Sequence, residues 1–258
     1  MTVPLDERAA PALLHGFLAP AAELLAAAIQ PSATMPTALV AHWSGVLLAA
    51  FQQQHPEGQY VLLECLPPPV LTHLDSMAMR LYGRSLPLPL RPGLLGAVAH
   101  GLSFSDSSSD TTLLRETARS LSTGGVYAGA FLMRGSFDAF FDTAREICEA
   151  EGFGDALGAL KDAENQFRAP ESMRALASRA GFVDVEVTLE ERGLPFDNAR
   201  AFLTDPGVSN VLLRIINVGS DSTRSKVFKH VTQALDTYFS GMHFSARVVT
   251  GVLRGVKA

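Results

Sequence analysis

The middle of the chain repeats apolar positions at helical spacing and then becomes continuously apolar. Residues 114–121 place leucines and alanine on one face and charged side chains on the other, which predicts an amphipathic helix. Gly124 and Gly125 follow and predict its end, because glycine adopts the left-handed C-terminal cap without steric cost. Residues 126–133 are apolar and mostly small, as in a strand buried on both faces. A helix, paired glycines and a buried strand predict a crossover unit in a parallel sheet.

The spacing of apolar residues also predicts the other elements of an α/β protein. One or two helices are expected over residues 5–30, broken near Pro20. The predicted strands are residues 37–41, 59–65, 93–102, 182–190 and 246–253. The predicted helices are residues 46–54, 70–81, 136–151, 170–181, 198–203, 208–218 and 222–239.

Local polar signals set the expected boundaries. Asp110, after a polar loop, and Ser136 are predicted helix N-caps. Residues 152–168 show weaker periodicity and are predicted to be looser. The domain prediction is an N-terminal helical cap over residues 1–35. One domain then follows over residues 36–258, with a helical insertion at about 198–240.

Composition narrows the class of protein. The chain has 258 residues, of which 47% are hydrophobic, enough for one large packed domain. Its net charge of −5 argues against direct nucleic-acid binding, which needs clustered basic side chains. The two cysteines, Cys65 and Cys148, form no metal or redox motif and favour reduced thiols inside a cell. No apolar run reaches the ~18 residues of a membrane span.

Three stretches resemble class I S-adenosylmethionine (SAM) methyltransferases. Residues 114–125 resemble the fourth helix and its glycine turn, residues 86–90 a turn before the fourth strand, and residues 171–187 the unit entering the sixth strand. The matching positions of the first stretch are Leu114, Glu116, Arg119, Leu121, Gly124 and Gly125. The resemblance implies a seven-stranded Rossmann-like sheet with helices on both faces, an antiparallel last strand and a possibly shortened third strand.

Within that superfamily the C-terminal half looks most like two groups. One is the malonyl-carrier-protein methyltransferases of biotin synthesis, and the other is the mitochondrial methyltransferase-like proteins that assist complex I assembly. Both groups carry a similar helix-rich insertion before the last strand. This resemblance leaves a mitochondrial matrix and a cytoplasm as alternative locations.

The resemblance implies a glycine-rich turn after the first strand, and the sequence departs from it. Ala41, Trp43 and Gly45 stand at the three glycine positions, and Leu39 stands at the preceding acid. A shift of one residue puts Val40 there instead. Trp43 is expected to fill the cofactor pocket, helped by His42 or residues 67–69. The alternative is that Trp43 packs outward under the N-terminal helices.

Glu64 and His100 are the two further positions of the predicted vestigial SAM pocket, which also contains Ala41, Trp43 and Gly45. Glu64 and Cys65 end the second strand, where the family has an acid for the ribose hydroxyls. The register set by Leu66 and Pro68 puts Cys65 at the acid's position, and a slip of one residue decides whether Glu64 can serve. His100 ends the fourth strand, either as a hydrogen-bonded structural residue or as a base. The third strand lacks the family's acid near the adenine.

Other chemistry finds no support in the sequence. His42 and Ser44 lack an acid and an oxyanion turn, and the histidines form no metal-binding pair, so no catalytic or metal residues are predicted. The predicted function is a catalytically inactive methyltransferase-like subunit or assembly factor of a larger complex, with protein partners and no cofactor. The alternative is an active SAM-dependent methyltransferase acting on an acyl carrier, a small molecule or a protein.

Overall fold

The computed structural model describes residues 18–31, 34–40, 44–64, 79–82, 90–103, 107–205, 208, 212, 221–239 and 243–258. The helices are α1 (Ala19–Ala28), α2 (Ser44–Gln54), α3 (Ser107–Ser120), α4 (Asp138–Ala150), α5 (Gly154–Gln166), α6 (Pro170–Arg179), α7 (Ala199–Thr204) and α8 (Asp221–Tyr238). The strands are β1 (Thr37–Val40), β2 (Tyr60–Glu64), β3 (Met79–Tyr82), β4 (Leu95–Ser103), β5 (Leu121–Leu132), β6 (Phe182–Phe196) and β7 (Phe244–Lys257).

The seven strands form one sheet in the order β3-β2-β1-β4-β5-β7-β6. β1 is parallel to β2 and β4, β2 to β3, and β4 to β5. β7 is antiparallel to β5: the Lys257 ammonium donates to the carbonyl of Leu121 at 2.6 Å, whereas the Met133 amide donates to the Val249 carbonyl at 2.8 Å. The predicted α/β sheet with an antiparallel last strand is confirmed, and its third strand is four residues long.

The described residues fall into two compact units. The sheet unit comprises Leu18–Phe131, Ala169–Leu189 and Thr250–Ala258. The helical unit comprises Leu132–Arg168 and Glu190–Val249. The predicted division at residue 35 and the insertion at about 198–240 stay predictions.

The N-terminal part of the sheet unit shows why α1 begins where it does. Pro20 lies in the first turn of α1, where its missing N–H has no helical partner to lose. The predicted break near Pro20 stays a prediction, because the residues before Leu18 lie outside the described part. α1 is joined to the end of α2 by His55, the residue after that helix, whose ring contacts the Ala26 carbonyl at 3.0 Å.

The predicted helix end at Gly124 and Gly125 is wrong. The helix ends at Ser120 and the strand begins at Leu121, so Gly124 and Gly125 lie inside β5. The Gly93 amide donates to the Arg119 carbonyl at 3.1 Å, which satisfies a carbonyl at the helix end. Gly124 has φ +76°, and the β4–β5 register shifts across this segment. The positive φ of Gly124 therefore belongs to an irregularity in the strand and not to a helix cap.

Three further boundaries differ from the predictions. α3 begins at Ser107, so Asp110 is inside the helix rather than its N-cap. Residues 79–81 belong to β3 and not to the predicted helix, of which the rest lies outside the described residues. Residues 154–166 form α5 where looser structure was predicted, because Ala156, Leu160 and Ala163 recur at helical spacing and are buried.

Ser136 is not a helix cap. The residue before α4 is Phe137, in a left-handed conformation with φ 59° and without a side-chain cap. The Ser136 hydroxyl instead accepts from the Val249 amide at 2.9 Å and donates to its carbonyl at 3.2 Å. This pair joins the end of β5 to β7 within the helical unit.

Aromatic side chains form the centre of the helical unit. Phe202 of α7 is fully buried, and its ring centre lies 4.9 Å from that of Phe244, 5.3 Å from Phe196 and 6.0 Å from Phe137. Rings at these separations gain from edge contacts as well as from burial. The short helix α7 is held here by packing, and the Asn198 side chain caps it by accepting from the Ala201 amide at 2.8 Å.

We expect the buried Cys148 thiol to resist modification in the folded protein. Cys148 lies in α4 with none of its surface exposed, and burial raises the pKa of its thiol. The thiolate fraction at a given pH is therefore lowered, and a reagent reaches it only after local opening. In a Cys65→Ser variant, labelling with Ellman's reagent at pH 8 should be at least about 100-fold slower than in urea. Equal rates in the two conditions would contradict the burial of this side chain.

Candidate methyltransferase cofactor site

The sheet order changes direction between β1 and β4. Neighbouring parallel strands whose crossovers lead to opposite sides leave a crevice at their carboxyl ends, which is where ligands bind in open α/β sheets. The described strands on this side end in Val40, Glu64, Tyr82 and Ser103. These residues, all in the sheet unit, define the candidate site.

The end of β1 is apolar and closed to water. All four residues of the strand are buried; Leu39 has none of its surface exposed and Val40 has 2%. Val40 lies opposite Leu63 of β2 and His100 of β4. A carboxylate at either position 39 or 40 would be costly to bury here, so aliphatic side chains suit this end of β1.

β2 and β3 end side by side. Glu64, the last residue of β2, is in register with Tyr82, the last residue of β3. The strand therefore reaches Glu64, whereas Cys65 lies outside the described residues. The choice between Glu64 and Cys65 for the ribose acid's position stays a prediction.

His100 is a buried polar residue in the middle of the sheet. It is 7% exposed and lies between Val40 on β1 and Gly129 on β5. Its ring centre is 6.0 Å from that of Phe131. β4 continues to Ser103, so His100 is not the terminal residue that the sequence suggested. Burial against an aromatic ring favours the structural interpretation over that of a base.

The structure brings together only part of the predicted pocket. Glu64 and His100 lie on β2 and β4, the two strands that flank β1. Gly45 is the second residue of α2 and so belongs to the helix after the turn. Ala41 and Trp43, together with His42 and residues 67–69, lie outside the described residues. The proposed filling of the pocket by Trp43 stays a prediction.

Tyr127 is a buried polar residue inside β5 that the sequence did not single out. It has none of its surface exposed and packs on Phe182, with ring centres 5.4 Å apart. Its hydroxyl lies over Gly129, where a Cβ would meet it. The alternation of Tyr127, Gly129 and Phe131 along β5 was the available signal, because alternate residues share a face of a strand.

Within the described residues, no three metal-ligating side chains form a cluster. The same part of the chain contains no helix with the length and apolarity needed to span a membrane.

Solved structures similar to this one identify the fold. A putative methyltransferase from Bacillus halodurans is similar over 92% of this chain and 98% of its own, with a TM-score of 0.55 and 13% identity. The chain has a class I methyltransferase fold. The YcgJ protein from Bacillus subtilis is similar over 92% and 97%, with a TM-score of 0.54 and 12% identity. No family model matches the sequence of this chain, and no curated protein matches it.

At the described strand ends of this methyltransferase fold, two of the three residues differ from the acids that the resemblance implies. The resemblance implies acids at the ends of the first three strands, and the chain has Val40, Glu64 and Tyr82 there. Glu64 is the one carboxylic acid among these three residues. Each missing charge-assisted hydrogen bond costs ~1.5–3 kcal/mol, or roughly ten- to a hundredfold in affinity.

Proposed function

We propose that this chain keeps the methyltransferase fold without transferring methyl groups and acts as a subunit or assembly factor of a larger protein complex. The observation that carries the proposal is the buried, aliphatic end of β1, formed by Leu39 and Val40. In the resemblance this end bears an acid and leads into a glycine-rich turn. Ala41 and Trp43 replace two of those glycines in the sequence.

This chain departs at several positions from the residues that the resemblance implies, and these departures together support the proposal. The acid of β1 is replaced by an aliphatic residue, that of β3 by Tyr82, and the turn keeps Gly45 alone. A single replacement could be offset by a neighbouring group, but their free-energy costs accumulate when the sites are independent. A fold that has lost its cofactor still offers large outer surfaces, and protein contacts are the use that we propose for them. The proposed setting is intracellular, in a mitochondrial matrix or a cytoplasm.

We expect no measurable SAM binding at tens of micromolar in isothermal titration calorimetry. The physical reason is the loss of the carboxylates at the ends of β1 and β3, which leaves Glu64 as the one acid at the described strand ends. S-adenosylhomocysteine should behave in the same way. A methyltransferase of known affinity, titrated in parallel, controls for the quality of the ligand.

A micromolar dissociation constant would overturn the proposal and favour a second candidate, an active SAM-dependent methyltransferase. The placement of Glu64 at the end of β2 supports that candidate, since the resemblance implies a ribose acid at this strand end and a slip of one residue would let Glu64 serve. A Glu64→Gln variant then tests whether Glu64 holds the ribose. It should weaken the observed SAM binding about tenfold or more if the Glu64 carboxylate accepts from the ribose hydroxyls, and transfer of a labelled methyl group from SAM tests activity separately.

A further inference from the structure

Within the described residues, one edge of the sheet is a long strand with little protection. β6 stands last in the strand order, with β7 as its neighbour, and is 15 residues long. An edge strand presents unpaired backbone N–H and C=O groups, and proteins usually blunt such edges with lysine, proline or a bulge. Asp184, with φ 49°, provides an irregularity near the start. Residues 185–189 contain none of these devices.

The side chains of this segment divide into an apolar and a polar face. Val185, Val187 and Leu189 alternate with Glu186 and Thr188, so each set shares one face of the strand. Leu189 is 50% exposed, Val185 and Val187 are half-buried, and Glu186 is exposed. We call residues 184–189, all within the sheet unit, the acidic edge.

The charge of the acidic edge selects its partner. Asp184 and Glu186 are both exposed, and the segment contains no lysine, arginine or histidine. A second copy of this chain would bring the same two acids to the edge, and like charges on paired strands repel. Lysine or arginine opposite these acids would instead form favourable cross-strand pairs, and aliphatic side chains would cover the valines and leucine.

We propose that the acidic edge is a docking site for an extended segment of a partner protein in which basic and aliphatic residues alternate. The segment would add a strand beside β6, so backbone hydrogen bonds would supply affinity and the alternating side chains specificity. This inference rests on the proposed function, in which the chain works through protein contacts, and it names the surface and the chemistry of the contact.

A short peptide tests the docking site directly. The probe is a fluorescein-labelled, capped nine-residue peptide that alternates lysine and valine, measured by fluorescence anisotropy. A peptide that alternates glutamate and valine controls for apolar association. We expect the basic probe to bind, the acidic one not to bind, and Glu186→Lys to weaken binding about tenfold by reversing a cross-strand pair. Hydrogen exchange should slow at residues 185–189 when the basic probe is added.

Glu57→Lys is the matched control. Glu57 is exposed in a turn of the same unit, and its replacement by lysine changes the net charge by the same amount as Glu186→Lys. The inference is overturned if the two variants lose affinity equally, if the acidic probe binds as well, or if the protected amides lie elsewhere. A dimer in sedimentation that Glu186→Lys strengthens would also overturn it, in favour of a second copy. SAM titration of the same preparation separates the two proposals: SAM binding with intact docking defeats the proposed inactivity alone, and loss of docking without SAM binding defeats this inference alone.

Discussion

Replacing Phe202 with alanine should lower the free energy of unfolding by about 3–5 kcal/mol, which is the range for truncating a buried phenylalanine. The ring is fully buried and contacts Phe137, Phe196 and Phe244. Its removal leaves a cavity bounded by rings on three different elements, which cannot all move inward together. Urea unfolding followed by far-UV circular dichroism measures the loss.

Tyr238→Ala provides the control for Phe202→Ala. Tyr238 lies at the end of α8 in the same unit and is 76% exposed, so its truncation should change stability by no more than about 0.5 kcal/mol. A Phe202→Ala variant as stable as this control would mean that the aromatic cluster is not the core of the helical unit.

Replacing Gly125 with valine should destabilise the protein by about 3 kcal/mol, the upper part of the range for overpacking. A Cβ at this position would lie 2.8 Å from the Ser122 carbonyl oxygen and 3.1 Å from that of Gly96. Both are backbone atoms, of β5 itself and of its neighbour β4, so neither can move aside as the end of a flexible side chain could. The expected cause is crowding between β4 and β5 and not a lost helix cap.

Gly158→Val is the matched substitution for Gly125→Val. Gly158 is exposed in α5, and a Cβ there would meet nothing within 4 Å. Its replacement should change stability by less than about 0.5 kcal/mol in either direction, since valine and glycine differ little in helix propensity. If thermal unfolding ranked the two variants equally, the close approach at Gly125 would be contradicted.

The sequence predicted the kinds of element better than their ends. The apolar runs gave the strands because burial on both faces of a parallel sheet leaves a strong local signal. The end of α3 could not be found this way, since the Arg119 carbonyl is satisfied by Gly93, on a separate segment. The hydroxyl of Ser136 likewise serves Val249, 113 residues away, instead of the adjacent helix. The local sequence shows which hydrogen bonds a residue could make, but its partner in a distant segment determines which hydrogen bond it makes in the fold.

The candidate site was predictable in its position and less so in its detail. Strand ends at a change of sheet direction follow from topology, and Glu64 was among the residues expected there. The number of residues by which β4 runs past His100 depends on its pairing with β5, where the register shifts between His100 and Ser103. An irregularity of that kind belongs to two strands at once and leaves no pattern in either one alone.

The position of β7 between β5 and β6 has a consequence during synthesis on the ribosome. β6 has β7 as its neighbour in the sheet order, and β7 is made last of the seven strands. At ~5–20 residues per second, the roughly 60 residues from the end of β6 to the end of β7 take about 3–12 s to emerge. Until β7 emerges in the last part of that interval, β6 lacks its neighbour in the sheet, so the nascent chain exposes both edges of β6 to chaperones and to neighbouring polysomal chains.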